Sequence, residues 1–245
     1  MAGRLPEISG LLGRGVTGSM ETNEGVVMGG TDLYLKQMEI GPMANFVYLI
    51  GPAGSKETAV VDPAWDVGAI LRAAEADDRR IVAALVTHWH PDHTNGVEDL
   101  VERTDARVYV NREEVPWLQH PARNLKEVGP GEELRLGDLT LQFLHTPGHT
   151  PGSQCFLVRE RLVSGDTLFI NACGRTDLPG GDPERLYKSL SGTLRRLDDR
   201  TILLPGHNYA DVSSTTLGEQ KTNNPFLCCA SLNSFLRLVG GPLGI

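Results

Sequence analysis

Apolar positions along the chain fall into short runs separated by turns rich in Gly, Pro, Asp and Asn. Leu33–Ile40 alternates enough to predict a strand, Asn45–Ile50 a second, and Thr58–Val61 a third, ended by Asp62-Pro63. Val67, Ile70, Leu71 and Ala74 recur at helical spacing, so a helix is predicted over Val67–Ala76 with Asp66 as its N-cap. Ile81–Val86 is continuously apolar and reads as a buried strand. A short helix is predicted from Gly96 to Thr104, a strand over Arg107–Val110, and an irregular polar flap from Asn111 to Gly131. Leu139–Leu144 alternates again, and residues 155–158 and 161–164 form a hairpin around Glu160. A helix over Pro183–Leu197 has Asp182 as N-cap and Pro183 at its first position. A strand over Thr201–Leu204 precedes two tail helices, near 213–221 and 226–238. Strands and helices thus alternate in two rough halves, an α/β pattern with no interior linker. Residues 1–30, Gly-rich and aperiodic, are expected to be a flexible lead-in, and residues 31–245 a single domain.

Composition narrows the partners. The 245 residues are 40% hydrophobic and 22% charged, ordinary for a soluble globular chain long enough to bury a large core. The net charge of −8, without any Lys/Arg run, argues against nucleic acid and anionic membranes. No apolar stretch approaches the roughly 18 residues of a membrane span. The four cysteines lack a paired spacing, and the first 20 residues lack an apolar segment, so reduced thiols and a cytoplasmic location are expected.

The candidate chemistry sits where strands end. Thr87-His88-Trp89-His90-Pro91-Asp92-His93 follows the 81–86 strand and packs three of the seven histidines and one aspartate into a single turn. His149 lies in the loop after 139–144, Asp166 follows the hairpin, and His207 follows the 201–204 strand. Imidazole with carboxylate suits zinc, iron or manganese. Seven donors exceed one tetrahedral ion but serve two metals sharing a bridge, and Asp166 is the natural bridge because a carboxylate has two oxygens. Two divalent ions against Asp92 and Asp166 leave about +2 by simple counting. Such a centre makes hydroxide at neutral pH and polarises a carbonyl, which is the chemistry of ester, thioester or amide hydrolysis.

His-x-His-x-Asp-His after a strand, Thr-Pro-Gly-His-Thr-Pro-Gly-Ser, a later Gly-Asp and a final Pro-Gly-His resemble the metallo-β-lactamase superfamily over about residues 33–227. The resemblance implies a four-layer αββα sandwich of two mixed sheets with the site at one edge. It implies one metal on His88, His90 and His149, another on Asp92, His93 and His207, and Asp166 between them. Cys173–Asp182 and Thr222–Phe226 are similar to the glyoxalase II-like branch, including short hydroxyacylglutathione hydrolases and persulfide dioxygenases. The resemblance therefore implies a thioesterase with two divalent metals, zinc foremost. Its alternative is a persulfide dioxygenase with a single iron on His88, His149 and Asp166. β-Lactam hydrolysis as a side activity and a non-enzymatic metal-binding member rank below both. Only 38 residues follow His207, and their basic residues are Lys221 and Arg237, which departs from the basic glutathione contacts of the longer branch members. The expected partner is a small anionic thioester, and a homodimer is compatible with the sequence.

Several other residues carry expectations. Asp92, besides ligating, is placed to shuttle a proton. His145 is expected to bond within its loop and His120 to be solvated. Arg175 and Asp177 are expected to form a buried ion pair behind the metals, with substrate contact as the sharper alternative. Tyr209 is expected to pack at the rim, and Thr87 and Thr150 either bond ligands or cap turns. Trp89 is expected to pack under the His loop, with Trp117 at the pocket mouth. Cys155 reads as a core residue, and Cys173, in a loop, as the more reactively placed thiol.

Overall fold

The computed structural model describes residues 26–27, 32–119 and 121–240; the rest of the expected lead-in and His120 lie outside the described residues. The first sheet runs β1 (Val26–Val27), β2 (Leu33–Ile40), β3 (Asn45–Pro52), β4 (Glu57–Val61), β5 (Arg80–Leu85), β6 (Arg107–Asn111) and β7 (Leu125–Val128), in that spatial order. Its first four strands pair antiparallel and β4 to β7 pair parallel. The second sheet begins with β8 (Glu133–Leu136), β9 (Leu139–His145), β10 (Gln154–Val158) and β11 (Arg161–Gly165). A small ribbon, β12 (Leu168–Phe169) with β13 (Ala172–Cys173), interrupts it, and β14 (Ile202–Pro205) and β15 (Thr215–Thr216) complete it. β14 lies parallel to β11.

Strand alternation sorts side chains into three cores. From β2 and β3, Leu33, Leu35, Phe46, Tyr48 and Ile50 face the second sheet, where Leu139, Leu141, Phe143 and Phe156 meet them. Tyr34, Met38, Val47 and Leu49 face the other way, onto Ile70 of α1 (Val67–Ala76) and Leu100 of α3 (Val97–Thr104). Cys155, Leu162 and Leu203 of the second sheet face α4 (Pro183–Lys188) and α6 (Leu232–Val239), represented by Leu186 and Phe235. Strands such as β3, β4 and β10 are buried on both faces and read as near-continuous apolar runs, whereas β8 and β9 leave one face partly exposed and alternate. The layers are helix, sheet, sheet, helix: the expected αββα sandwich.

Local signals held where their partners are near in sequence. The Asp66 side chain accepts from Ala69 N, a cap contributing about 1 kcal/mol. Asp182 caps α4 with Pro183 at its first position. The helix expected to reach Leu197 instead stops at Lys188, and residues 189–193 widen into a π-turn before a 3₁₀ turn over 194–196. Ser189 Oγ donates to Pro147 O (2.7 Å), anchoring this segment to the His149 loop, and Gly192 is a poor helix former. The flap contains β7, which joins the sheet edge without any alternation of its own. β8 and the β12–β13 ribbon have no counterpart in the expected elements. The tail helices begin late, α5 (Leu217–Asn223) at a Thr216–Glu219 capping box and α6 at Ser231.

β4, β5, β9, β11 and β14 all point their C-terminal ends to one edge. There the sheets are stitched together: Phe46 N donates to Gly206 O (2.8 Å), Asn208 N to Ala44 O (2.8 Å) and Gln154 N to Thr87 O (2.9 Å). The loops that leave these strand ends are therefore held against one another.

Candidate metal centre

Each predicted ligand arrives from a strand end. After β5 the chain makes one turn, α2 (Pro91–Thr94), with Pro91 at its first position and His90 as the residue before it. This turn directs His88 and His90 to one side and Asp92 and His93 to the other. His149 enters on the loop after β9, Asp166 after β11 and His207 after β14. All five histidines are buried.

The donors form two clusters. His88, His90 and His149 make the first, and Asp92, His93 and His207 the second. His90 Nδ1 and His149 Nε2 stand 3.0 Å apart, and His93 Nε2 and His207 Nε2 3.1 Å apart. Asp92 Oδ2 is 3.4 Å from both His93 Nε2 and His207 Nε2. Asp166 touches both clusters: Oδ1 lies 3.4 Å from His93 Nε2, and Oδ2 lies 3.4 Å from His207 Nε2 and 3.7 Å from His149 Nε2.

Whether these residues fit metal can be tested on spacing and on orphaned atoms. Donors about 2.0–2.1 Å from a tetrahedral ion stand about 3.3 Å apart. The observed separations bracket that value. His88 Nε2 and Asp166 Oδ1 are buried without any hydrogen-bond partner, an arrangement that costs free energy unless something fills the gap. Imidazole and carboxylate donors around such a gap suit a divalent cation.

Behind the donors stand groups that fix the rings. Thr87 Oγ1 lies 2.9 Å from His88 Nδ1 and bonds Asp62 Oδ2 at 2.6 Å. Asp62 also accepts from Thr87 N (2.7 Å) and faces His93 Nδ1 (2.9 Å). Asp62 adopts a left-handed φ of 49°, an uncommon state for a residue with a side chain. His149 Nδ1 donates to Arg175 O (2.8 Å), and His207 Nδ1 to Met43 O (2.9 Å). Asn45 Nδ2 donates to Asp92 Oδ2 (3.1 Å), while Asn45 Oδ1 accepts from Trp65 Nε1 (2.8 Å). Any side chain at Gly206 would run into Asp166, so only glycine fits there.

Asp62, Asn45 and Glu114 were not legible as site residues. Asp62-Pro63 looks like a strand terminator, Asn45 like the start of a strand, and Glu114 like any surface glutamate. Glu114 is fully buried, and its carboxylate accepts from Trp89 N (2.6 Å), Thr150 Oγ1 (3.0 Å) and Gly152 N (2.5 Å). Only the contact set reveals these roles.

Other expectations are corrected or refined. Arg175 and Asp177 do pair, with two contacts of 2.7 Å, but both side chains are exposed rather than buried. Arg175 acts on the centre through its backbone carbonyl. Cys173 lies in β13, is buried, and burial pushes its thiol well above the ordinary range, so it is not poised as a thiolate. Cys155 is a core residue. Tyr209 stacks on His207 (centroids 4.7 Å, planes 9° apart) and remains exposed. Trp89 stacks on Trp117 at 5.5 Å. His145 Nε2 faces Pro151 O within its loop (3.3 Å).

The family model of the Metallo-beta-lactamase superfamily matches residues 40–207. The chain belongs to the metallo-beta-lactamase superfamily. It is 31% identical over 165 residues to the probable polyketide biosynthesis zinc-dependent hydrolase PksB of Bacillus subtilis, covering 67% of this chain and 73% of that one. It is 32% identical over 190 residues to the hydroxyacylglutathione hydrolase GloC of Haemophilus influenzae, covering 70% and 88%. Among solved structures, ETHE1 from Myxococcus xanthus superposes with a TM-score of 0.78 at 31% identity, covering 84% of this chain and 90% of that one. The chain is thus a superfamily member with hydrolase relatives and a His/Asp metal-binding site. No helix among the described residues is long and apolar enough to cross a membrane.

The metal-free charge state follows from the packing. Burial alone would discharge His207, but Asp166 and Asp92 outweigh it and raise its pKa to about 10. His90 is lowered to about 4 by burial and by His149. Burial raises Glu114 to about 7. A raised folded-state pKa gives stability that is fully present below the unfolded value and is lost as pH climbs through the folded one. His207 therefore weakens the metal-free fold as pH rises from about 6.5 to about 10, and Glu114 as it rises from about 4.5 to about 7. His90, with a lowered pKa, weakens it as pH falls from about 6.5 to about 4. In chelator-treated protein the melting temperature is expected to fall steadily between pH 7 and 10. Saturating metal is expected to flatten that fall, because a ligating imidazole has already lost its proton. Differential scanning fluorimetry with and without metal reads both.

Proposed function

We propose that this chain is a two-metal hydrolase that cleaves a thioester, with zinc as the first candidate metal. The observation that carries the reading is Asp166, whose two oxygens reach both histidine clusters. His88, His90 and His149 would hold one metal, Asp92, His93 and His207 the other, with Asp166 shared. Bound divalent metals supply Lewis acidity and a nucleophilic water at neutral pH.

The chain's own residues do the rest. His93 and His207 hold the Asp92 carboxylate well below the usual carboxylate range against its burial, so it is ionised and fit to ligate, and as a base it is weak. Asn45 Nδ2 donates to Asp92 Oδ2 and to the Asp92 backbone carbonyl, which fixes the carboxylate beside His93 and His207. In the proposed hydrolysis a proton of the attacking water would pass by way of Asp92 to the leaving thiolate, which is the stronger base.

The rim favours an apolar acyl group. Among the described residues the exposed large hydrophobics are Met43, Trp65, Trp117, Tyr209 and Val212. Tyr209 stacks on His207, Trp65 bonds Asn45, Trp117 stacks on Trp89, and the Met43 backbone carbonyl accepts from His207. Exposed apolar surface gathered at one place marks a binding region. Among the described residues Arg175 is taken up by Asp177, and Lys221 by Leu197 O and Asp199, so these two cations are already paired. The thioester's negative charge is better met by the metals. No nucleic-acid or membrane partner is invoked, and a homodimer remains compatible with the reading.

A second reading rests on the closeness of His88, His149 and Asp166. The rings of His88 and His149 lie 4.8 Å apart, and Asp166 Oδ2 is 3.7 Å from His149 Nε2. Two imidazoles and one carboxylate suit a single iron, as in a persulfide dioxygenase. Metal analysis of protein purified without chelator, with hydrolysis assays on thioesters of graded acyl length, separates the two. About two metals per chain and faster cleavage of longer acyl groups are expected. A single iron, with oxygen uptake on glutathione persulfide and no thioester cleavage, would sink the hydrolase.

A further inference from the structure

Glu113 and Glu114 are neighbours of identical chemistry with opposite fates. Glu113 is exposed and pairs with Arg185 (3.1 Å). Glu114 is fully buried. The turn after β6 makes the difference. Asn111 Oδ1 accepts from Glu113 N (3.0 Å), and Glu114 N donates to Asn111 O (2.9 Å), which turns the second glutamate inward.

There the carboxylate meets donors from two loops. Trp89 N belongs to the segment between His88 and His90, and Thr150 Oγ1 and Gly152 N belong to the loop of His149. A side chain at Gly152 would overlap Glu114, so the glycine lets the carboxylate in. No cation is paired with Glu114 among the described residues. A buried carboxylate without a cation is costly. Here three donors offset that cost, and they join the two loops beyond the Gln154 N–Thr87 O bond at their strand ends.

We propose that Glu114 is the positioning residue of the first metal site: it clamps the His88–His90 segment to the His149 loop so that three imidazoles converge on one ion. This rests on reading those imidazoles as metal ligands. The second triad has its own direct supports, Asp62 on His93, Asn45 on Asp92 and the Met43 carbonyl on His207, and Asp62 reaches His88 only by way of Thr87. The clamp therefore acts on one site of the two. A role in general packing would not make that distinction.

The test is zinc titration of the metal-free full chain against a competing chelator. His88→Ala marks which binding event belongs to the first site. Glu114→Gln keeps the shape but turns an amide nitrogen toward a donor. It is expected to weaken the first event about 10–100-fold and leave the second within about two-fold. Thr150→Val removes one donor and is expected to weaken the same event by less. Affinity unchanged from wild type at both sites in Glu114→Gln, or an equal loss at both, overturns the clamp. If Glu114→Gln does not fold, unchanged first-site affinity in Thr150→Val overturns it. A wild-type chain whose zinc binding His88→Ala does not alter would instead sink the ligand assignment itself, whatever the Glu114 variants do.

Discussion

Asp166→Ala is expected to abolish two-metal binding and to lower thioester hydrolysis by on the order of 10³-fold or more, about 4 kcal/mol of barrier. The size follows from position. The Asp166 carboxylate lies within 3.4–3.7 Å of ring nitrogens from both clusters. Burial works to protonate it, yet His93 and His207 hold it down to about 2, so it is an anion at every working pH. Its removal takes away the negative charge that holds two divalent ions close together, and neighbouring ligands cannot stretch to replace it. Residues acting as one unit also fail together, so combining Asp166→Ala with a His207 substitution should cost little more than either alone. Metal content and kcat/KM, measured on the same preparation, check this. A variant that keeps two metals and more than about a tenth of its activity would remove Asp166 from the bridge.

His207→Ala and His149→Ala, compared side by side, form the second test. In the two-metal hydrolase each removes a ligand from a different metal. Both are expected to lower kcat/KM by about 10²–10³-fold while each retains about one metal. His207 is buried, sits against both carboxylates and donates to Met43 O, so its loss also leaves that carbonyl without its donor. In the single-iron reading only His149→Ala is fatal, because His207 lies outside the three donors that reading uses. Activity retained in His207→Ala and lost in His149→Ala, with one iron in both the wild type and His207→Ala, would decide for the dioxygenase.

Much of the fold is legible in sequence because strands buried on both faces leave apolar runs, and helix ends leave caps. Asp66 and Asp182 mark their helices from neighbours three or fewer residues away. The failures are of another kind. β7 is a strand because β6 offers it an edge, not because Leu125–Val128 alternates. The helix after Pro183 breaks at Ser189 because that side chain reaches Pro147, 42 residues back. Arg175 and Asp177 were expected to be buried because they sit near a metal motif, but their loop carries the pair outward and turns only a carbonyl to His149.

The sequence by itself determined the donors. Five histidines and two aspartates follow apolar runs that end in Pro/Gly turns, and such turns aim side chains at a sheet edge. It also determined that this is metal chemistry, because no other use of so many imidazoles at strand ends is common. Only the tertiary structure decided which atoms face each other and what holds them. Glu114, Asp62 and Asn45 act across 36, 31 and 47 residues respectively, through hydrogen bonds whose partners lie in other loops. Such bonds leave no periodicity and no motif, since a carboxylate or amide gains its role only when folding removes water and brings the partner within reach.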